Sequence, residues 1–444
     1  MNDLTKGNEF KTILFFSLPI LVGNLFQQFY NVVDSIVVGN FLGKESLAAV
    51  GFSFQINSLL VILSMGITMG TSILVSRCIG ERELKRVKKI MDTGIIFSLL
   101  LSIVITVLGV IFCEAILRAF RMPPETFDMA DTYLKIIFIG VIPTFAYNTL
   151  TNILRGMGDS KTATNILIIA MVLNIILDIT LVAVVHMGIA GAAVATVVSQ
   201  FFSWIACLVY MNHKYPEFRI NMVKLEFQKK ELVASLKIGI PAMIQQVFIC
   251  VGFLSIQYMI NGFGTDCIAA YTAASKIDSF AEMPSLNLGK AITNFIAQNL
   301  GAGRNDRVKK GSKAAFIMCA GISVVTSFII ASVPGFFIRL FTKDLAVIEI
   351  GNGYLRIVAG FYLIFGLMQL INGILLGYGK TVIPMLSSIL SLCLLQVPVA
   401  IFLSHTAFGY RGIWIAAPIG WIGGLIIRFL YYYFNIIRGK KKFL

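Results

Sequence analysis

Charge is what this sequence has least of. Asp, Glu, Lys and Arg make up 13% of its residues, about half of what a soluble domain carries, which excludes a soluble globular protein. Histidine is scarcer still, three in 444 residues, and His186, His213 and His405 all fall at the ends of apolar runs or in loops. That removes the nucleophile–base and histidine–metal constellations on which most enzyme sites are built, so no enzyme is expected. The seven cysteines are scattered, with no CxxC pair, and suggest neither a zinc site nor a disulfide framework. Short alternating segments of the kind that build a membrane β-barrel are missing as well.

What remains is apolar. Hydrophobic residues make up 57% of the chain and the mean hydropathy is +0.84. Roughly 20 apolar residues cross a bilayer as a helix, and the sequence offers twelve such windows. The first is too long, and too polar along one side, for a cleaved signal segment. The first two run to about Asn40 and from Leu47 to Cys78, the third to about Cys113, the fourth over 131–154. The fifth holds Asn174 and Asp178, and the sixth runs from Gly188 to Tyr210. The later ones lie from Pro241 and at about 268–300, 312–338, 350–376, 381–403 and 410–437. Fold class is therefore an all-α membrane protein of twelve transmembrane helices, with no room for a soluble domain.

The net charge of +15 does not indicate nucleic acid, because its placement follows the loops. With both ends on one side, 26 Lys and Arg lie on that side, 8 on the other and 3 within spans. This skew predicts cytoplasmic termini, and basic runs such as Arg86-Val-Lys-Lys89 and Arg438 to Lys442 read as topology signals near anionic headgroups.

The chain also repeats itself. Gly80 to Lys89 and Gly301 to Lys310 end in the same Arg-Val-Lys-Lys, 221 positions apart, and Leu47-Ala-Ala49 matches Ile268-Ala-Ala270 at that offset. Gly156-Met-Gly158 pairs with Gly377-Tyr-Gly379, and Gly188-Ile-Ala-Gly191 with Gly409-Tyr-Arg-Gly412. An even number of spans per copy inserts both the same way up. Parallel repeats of this kind mark transporters, with substrate bound near the midplane. The division expected is an N-lobe at 1–211, a cytoplasmic linker at 212–232 and a C-lobe at 233–444.

Within the first span, Asn24, Gln27, Gln28, Asn31 and Asp34 form one polar stripe at helical spacing, which cannot face acyl chains. A carboxylate at membrane depth costs about 3 kcal/mol on insertion scales and marks a functional site by default. Asn174 and Asp178 share a helical face, and Thr196 adds a hydroxyl on the sixth span. If these spans adjoin, Asp34, Asn174, Asp178 and Thr196 supply an all-oxygen set suited to a hard cation such as Na⁺. Two close carboxylates would serve equally as a proton site. On the eighth span Lys276, Asp278, Glu282 and Lys290 are expected to line the substrate cleft or form ion pairs between the lobes, and Gln27, Asn31 and Gln55 on the first two spans are expected to line that cleft.

These features carry a resemblance. Pro19 with Asp34 downstream, the run Gly39-Asn-Phe-Leu-Gly43, the turn Leu154-Arg-Gly-Met-Gly-Asp159 and Asn174-x-x-x-Asp178 resemble the multidrug and toxic compound extrusion (MATE) family, across essentially the whole chain. The resemblance is greatest to its DinF-like branch. It implies two six-helix lobes in a V that alternate access, with Asp34, Asn174, Asp178 and Thr196 as the cation-coupling site and helix bending at Pro19. It implies an H⁺- or Na⁺-coupled antiporter without a cofactor, a monomer of the bacterial inner membrane, exporting amphipathic cationic organic compounds. The C-lobe acids of the NorM-like branch have no counterpart, since spans seven and ten offer Gln245, Gln246, Gln257, Gln369 and Asn372 instead. The alternative is a flippase for lipid-linked precursors, disfavoured because most Lys and Arg sit in loops.

Overall fold

The computed structural model describes residues 3–120 and 122–438, apart from the side chains of Asn31, Val32, Ser35, Lys44, Leu47, Ala48 and Ile67. The elements described are α1 (Glu9–Glu81), α2 (Leu84–Ala119), α3 (Pro124–Ile139), α4 (Val141–Gly156), α5 (Ser160–Asp178), α6 (Ile189–Lys214), α7 (Lys229–Asn261) and α8 (Thr265–Gly301). They continue as α9 (Asn305–Ser332), α10 (Pro334–Arg339), α11 (Leu345–Ala359), α12 (Tyr362–Gly377), α13 (Val382–Ile389), α14 (Val397–Ser404) and α15 (Tyr410–Tyr431).

Among the described residues nine helices are long and apolar enough to cross a membrane, and eleven spans result when two bent pairs count as one each. The twelfth expected span is α8, whose Asp266, Lys276, Asp278, Glu282 and Lys290 keep its hydropathy low. Two expected spans are not straight. The fourth is α3 and α4, bent by 45° at Gly140, and the tenth is α11 and α12, bent by 52°. The first two spans follow one another as two helices that meet at a kink at Gly43, whose φ of 83° and ψ of −178° no helix contains.

Packing divides the chain into two units. Unit 1 comprises Leu18–Met243, and unit 2 comprises Leu4–Ser17 together with the chain from Ile244 onward. The expected linker at 212–232 is not a free tether. Tyr215, Phe218 and Ile220 are buried in the unit 1 core beside Val87, Ile90, Met91 and Leu154, because three large apolar side chains inside a polar stretch have nowhere better to go. Unit 2 has its own core around Tyr354, Leu355, Tyr362 and Trp414.

The duplication read from the loops extends to backbone geometry. Left-handed residues recur 221 positions apart: Gly43 and Gly264, Arg82 and Gly303, Gly158 and Gly379, Gly188 and Gly409. Two of these pairs close helices in the same way, the next amide bonding back to a carbonyl five residues earlier. Glu83 N donates to Cys78 O at 3.0 Å and Arg304 N to Asn299 O at 2.8 Å, while Asp159 N donates to Leu154 O and Lys380 N to Leu375 O. Close backbone approaches repeat too. A Cβ on Gly156 would lie 2.7 Å from Ser72 O, and one on Gly377 would lie 2.8 Å from Thr293 O, its counterpart.

Candidate functional site: an acid pair in the first unit

The four coupling residues expected from the sequence come from three elements of unit 1. Asp34 lies on α1, Asn174 and Asp178 on the last turns of α5, and Thr196 on α6. A π turn, Ile179–Val184, begins directly after Asp178. Such a turn re-aims side chains and is frequent at functional sites. Val37, Val38, Ile137, Val182, Ala192 and Ala193 form an apolar cluster around these elements.

Asp34 and Asp178 interact with each other directly. Asp178 and Asn174 are buried, 1% and 3% exposed. Both Asp178 oxygens and the Asn174 Nδ2 lack a hydrogen-bond partner among the described residues. Two carboxylates are acceptors only, so neither can satisfy the other, and a hydrogen bond links them only when one carries a proton. Thr196 donates to Ala192 O at 3.2 Å and meets the Tyr30 hydroxyl.

Two residues that the sequence reading passed over complete the site. Tyr30 and Tyr133 both feel the charges of Asp34 and Asp178. Tyr30 sits one helical turn before Asp34, so i,i+4 spacing could have found it. Tyr133 comes from α3, about a hundred residues away in sequence, and carries no local signal.

Pro19 lies inside α1, where its carbonyl accepts from Thr164 Oγ1 at 2.9 Å. Gly23, one turn on, packs against Thr164 and Leu167 of α5. The remaining substrate candidates lie on both units. Gln27 and Gln55 are exposed on unit 1, whereas the side chain of Asn31 lies outside the described residues.

In unit 2 the α8 charges do not act as one group. Lys276 is exposed, with its Nζ 5.8 Å from the centroid of the Phe341 ring. Asp278 is 7% exposed and accepts the hydroxyls of Tyr354 and Tyr362, one on each oxygen. Glu282, a turn further, faces Asp278 electrostatically, and Tyr271 adjoins both. Of the amides of the seventh and tenth spans, Gln245 and Asn372 bond across the helices, whereas Gln246 is exposed and Gln257 bonds within its own helix to Asn261 at 2.9 Å. Gln245 donates to Asn372 at 3.3 Å and to Ser388 at 3.0 Å, and Ser388 also accepts from the buried Arg428.

Two clusters near the basic loops are already satisfied. Cys78, Glu81 and Glu83 stand close enough to ligate one metal ion, but Arg77 pairs with Glu81 at 3.0 Å and Arg86 lies 3.9 Å from Glu81 and 3.6 Å from Glu83, so the carboxylates already have cationic partners. Asp159 caps α5 by accepting from Thr162 N and takes the hydroxyls of Tyr210 and Tyr215. Burial, and then the Asp159 charge, hold the Tyr215 hydroxyl above its ordinary range, so it remains a donor.

Two repeats of membrane-spanning helices, one of them holding an acid pair at membrane depth, define a secondary transporter. The chain belongs to the MatE family, whose model matches residues 19–180 and again 241–402. It is thus a polytopic membrane transporter of the multidrug-efflux type and not an enzyme. It is 30% identical to the Bacillus subtilis protein called "Probable multidrug resistance protein YoeA", over 99% of this chain and 96% of that one. It is 24% identical to "Multidrug export protein MepA" of Staphylococcus aureus, over 92% and 90% of the two. Among solved structures, an outward-facing multidrug resistance MATE family transporter of the MOP superfamily superimposes with a TM-score of 0.92. The two share 25% identity over 99% of this chain and 98% of the other.

Proposed function

We propose that this protein is a cation-coupled antiporter of the cell membrane, exporting amphipathic cationic organic compounds against entry of H⁺ or Na⁺ at the Asp34–Asp178 pair. The observation that carries the reading is that two membrane-embedded carboxyl groups face each other with no lysine, arginine or histidine among the described residues acting on either. Two negative charges at that depth and spacing are not borne together without a positive ion. A proton on one carboxyl turns the repulsion into a hydrogen bond. A sodium ion does the same work with the Asn174 amide and the Thr196 hydroxyl as further oxygen donors.

Filling the pair and emptying it are therefore two electrostatic states of unit 1, and α1 and α5 carry the difference. Tyr30 and Tyr133 both lie within electrostatic reach of the pair, and the Tyr30 hydroxyl meets Thr196. Each charge moved inward down 100 mV supplies about 2.3 kcal/mol, enough to hold an organic compound at a gradient of tens of fold. Names of the relatives, multidrug resistance and multidrug export, support the substrate class, and the Asp34 and Asp178 carboxyls of unit 1 support its positive charge.

Asp34→Asn keeps the shape and removes the charge. In proteoliposomes, uphill efflux of a cationic dye should be lost by this variant, while downhill exchange and monodisperse purification persist. Uphill efflux at the wild-type rate would sink the coupling role.

A further inference from the structure

The Arg-Val-Lys-Lys motif does more than mark the loops. Its first residue, Arg86 in one copy and Arg307 in the other, sits at the same repeat position. Each grips the start of a helix that then leaves the unit.

In unit 2, Arg307 is 4% exposed and holds the segment that leads into α1. Its Nη1 donates to Gly7 O at 2.6 Å and meets Glu9 Oε1 at 3.3 Å. Its Nη2 donates to Lys6 O at 3.1 Å and Leu4 O at 3.3 Å. Its Nε donates to Asn299 Oδ1 at 3.1 Å. Neighbours reinforce the grip: Leu4 N donates to Gln298 Oε1 at 2.8 Å, Asn299 Nδ2 to Leu4 O at 3.1 Å and Arg304 Nη1 to Thr5 O at 2.9 Å. Leu4 itself is buried.

In unit 1, Arg86 holds the start of α7. Its Nε and Nη2 reach the two oxygens of Glu231 at 3.1 and 3.5 Å, a forked pairing suited to a guanidinium. Thr93 Oγ1 accepts from Gln228 N at 3.0 Å and Asp92 Oδ2 accepts from Glu226 N at 3.4 Å. Further along, α7 lies so close to α1 that a Cβ on Gly70 would stand 2.1 Å from Ser235 O.

The two grips are reciprocal. Helix α1 begins in unit 2 and passes into unit 1 between Ser17 and Leu18, whereas α7 begins in unit 1 and passes into unit 2 between Met243 and Ile244. Pro19 and Pro241 lie within two residues of these crossings. A proline inside a helix removes a backbone hydrogen bond and is where a helix bends most readily.

We propose that Arg86 and Arg307 are a matched pair of latches, each fixing the root of one exchanged helix, and that the conformational exchange of transport loosens both while α1 and α7 flex at Pro19 and Pro241. This rests on the alternating transport cycle set out above, but the latch has its own readout. Loosening frees backbone amides that the latched segments protect, whatever substrate is carried.

The test is hydrogen exchange by mass spectrometry on the full-length protein in sealed proteoliposomes, at rest and with an imposed ion gradient, dye efflux being followed in the same vesicles. The segments Leu4–Lys11 and Glu226–Leu232 should both exchange about tenfold faster under the gradient. At rest, Arg307→Ala should raise exchange at Leu4–Lys11 to a similar degree and leave Glu226–Leu232 unchanged. Efflux with no change in exchange at either segment would overturn the latch and leave the transport reading standing. Faster exchange without dye efflux would support the latch and count against the substrate class instead.

Discussion

Asp178 is the residue on which the most depends, because both of its oxygens are buried without a hydrogen-bond donor among the described residues while Asp34 faces it. A polar atom so placed costs about 1–3 kcal/mol, and more when charged, so its persistence implies an occupant during the working cycle. Its chemistry was legible in the sequence through the rule that acids inside spans are functional, and so was its one-turn pairing with Asn174. The tyrosines were not equally legible. Tyr30 shares the α1 face with Asp34, but tyrosine is common in membrane helices and its role becomes visible only when Thr196 is seen against its hydroxyl. Removing that hydroxyl should weaken ion binding without abolishing it. Tyr30→Phe is expected to raise the ion concentration for half-maximal efflux about three- to tenfold, the worth of one buried hydrogen bond, with the maximal rate largely kept. A titration of efflux against the driving ion reads this directly, and an unchanged half-maximal concentration would remove Tyr30 from the site.

Elements carry the clearest record of the duplication. Spans were legible from hydropathy alone, yet their bends were not, since nothing in the composition around Gly140 or Gly360 distinguishes a 45° or 52° break from a straight helix. The π turn after Asp178 is equally silent in sequence. Helix ends were more readable, because glycine with positive φ at a helix boundary is a sequence signal, and three of the four repeated pairs are glycine in both copies. The exception is Arg82, with φ of 60°, opposite Gly303 at 68°. A left-handed conformation costs an L-residue roughly 1–2 kcal/mol that glycine avoids. Arg82 is exposed, so Arg82→Gly should raise stability by about 1 kcal/mol, seen as a higher midpoint of thermal unfolding in detergent. A lower midpoint would show that the arginine side chain compensates for its backbone.

On the scale of the whole chain, the sequence announced two copies but not how their ends are shared. Loop motifs and a constant offset reveal duplication because turns tolerate few residues. Leu4–Ser17 packs with unit 2 and the first turns of α7 pack with unit 1, and guanidinium contacts between residues some 300 and 145 positions apart accompany that packing. Charge counting had already explained the basic loops as topology signals, so nothing in the pattern asked for a second role. The same limit applies to α8, where the charges look like one set along the helix but part company in space, Asp278 to two tyrosines and Lys276 to a phenylalanine ring.

The claim beneath all of this is that a small cation entering at the Asp34–Asp178 pair drives export. Dye efflux from proteoliposomes, with the pH gradient and the sodium gradient imposed one at a time, measures it most directly. Efflux should accelerate under at least one of the two, and Asp178→Asn should remove the acceleration. Efflux that ignores both gradients, or that responds to one equally well without the Asp178 carboxylate, would contradict the account.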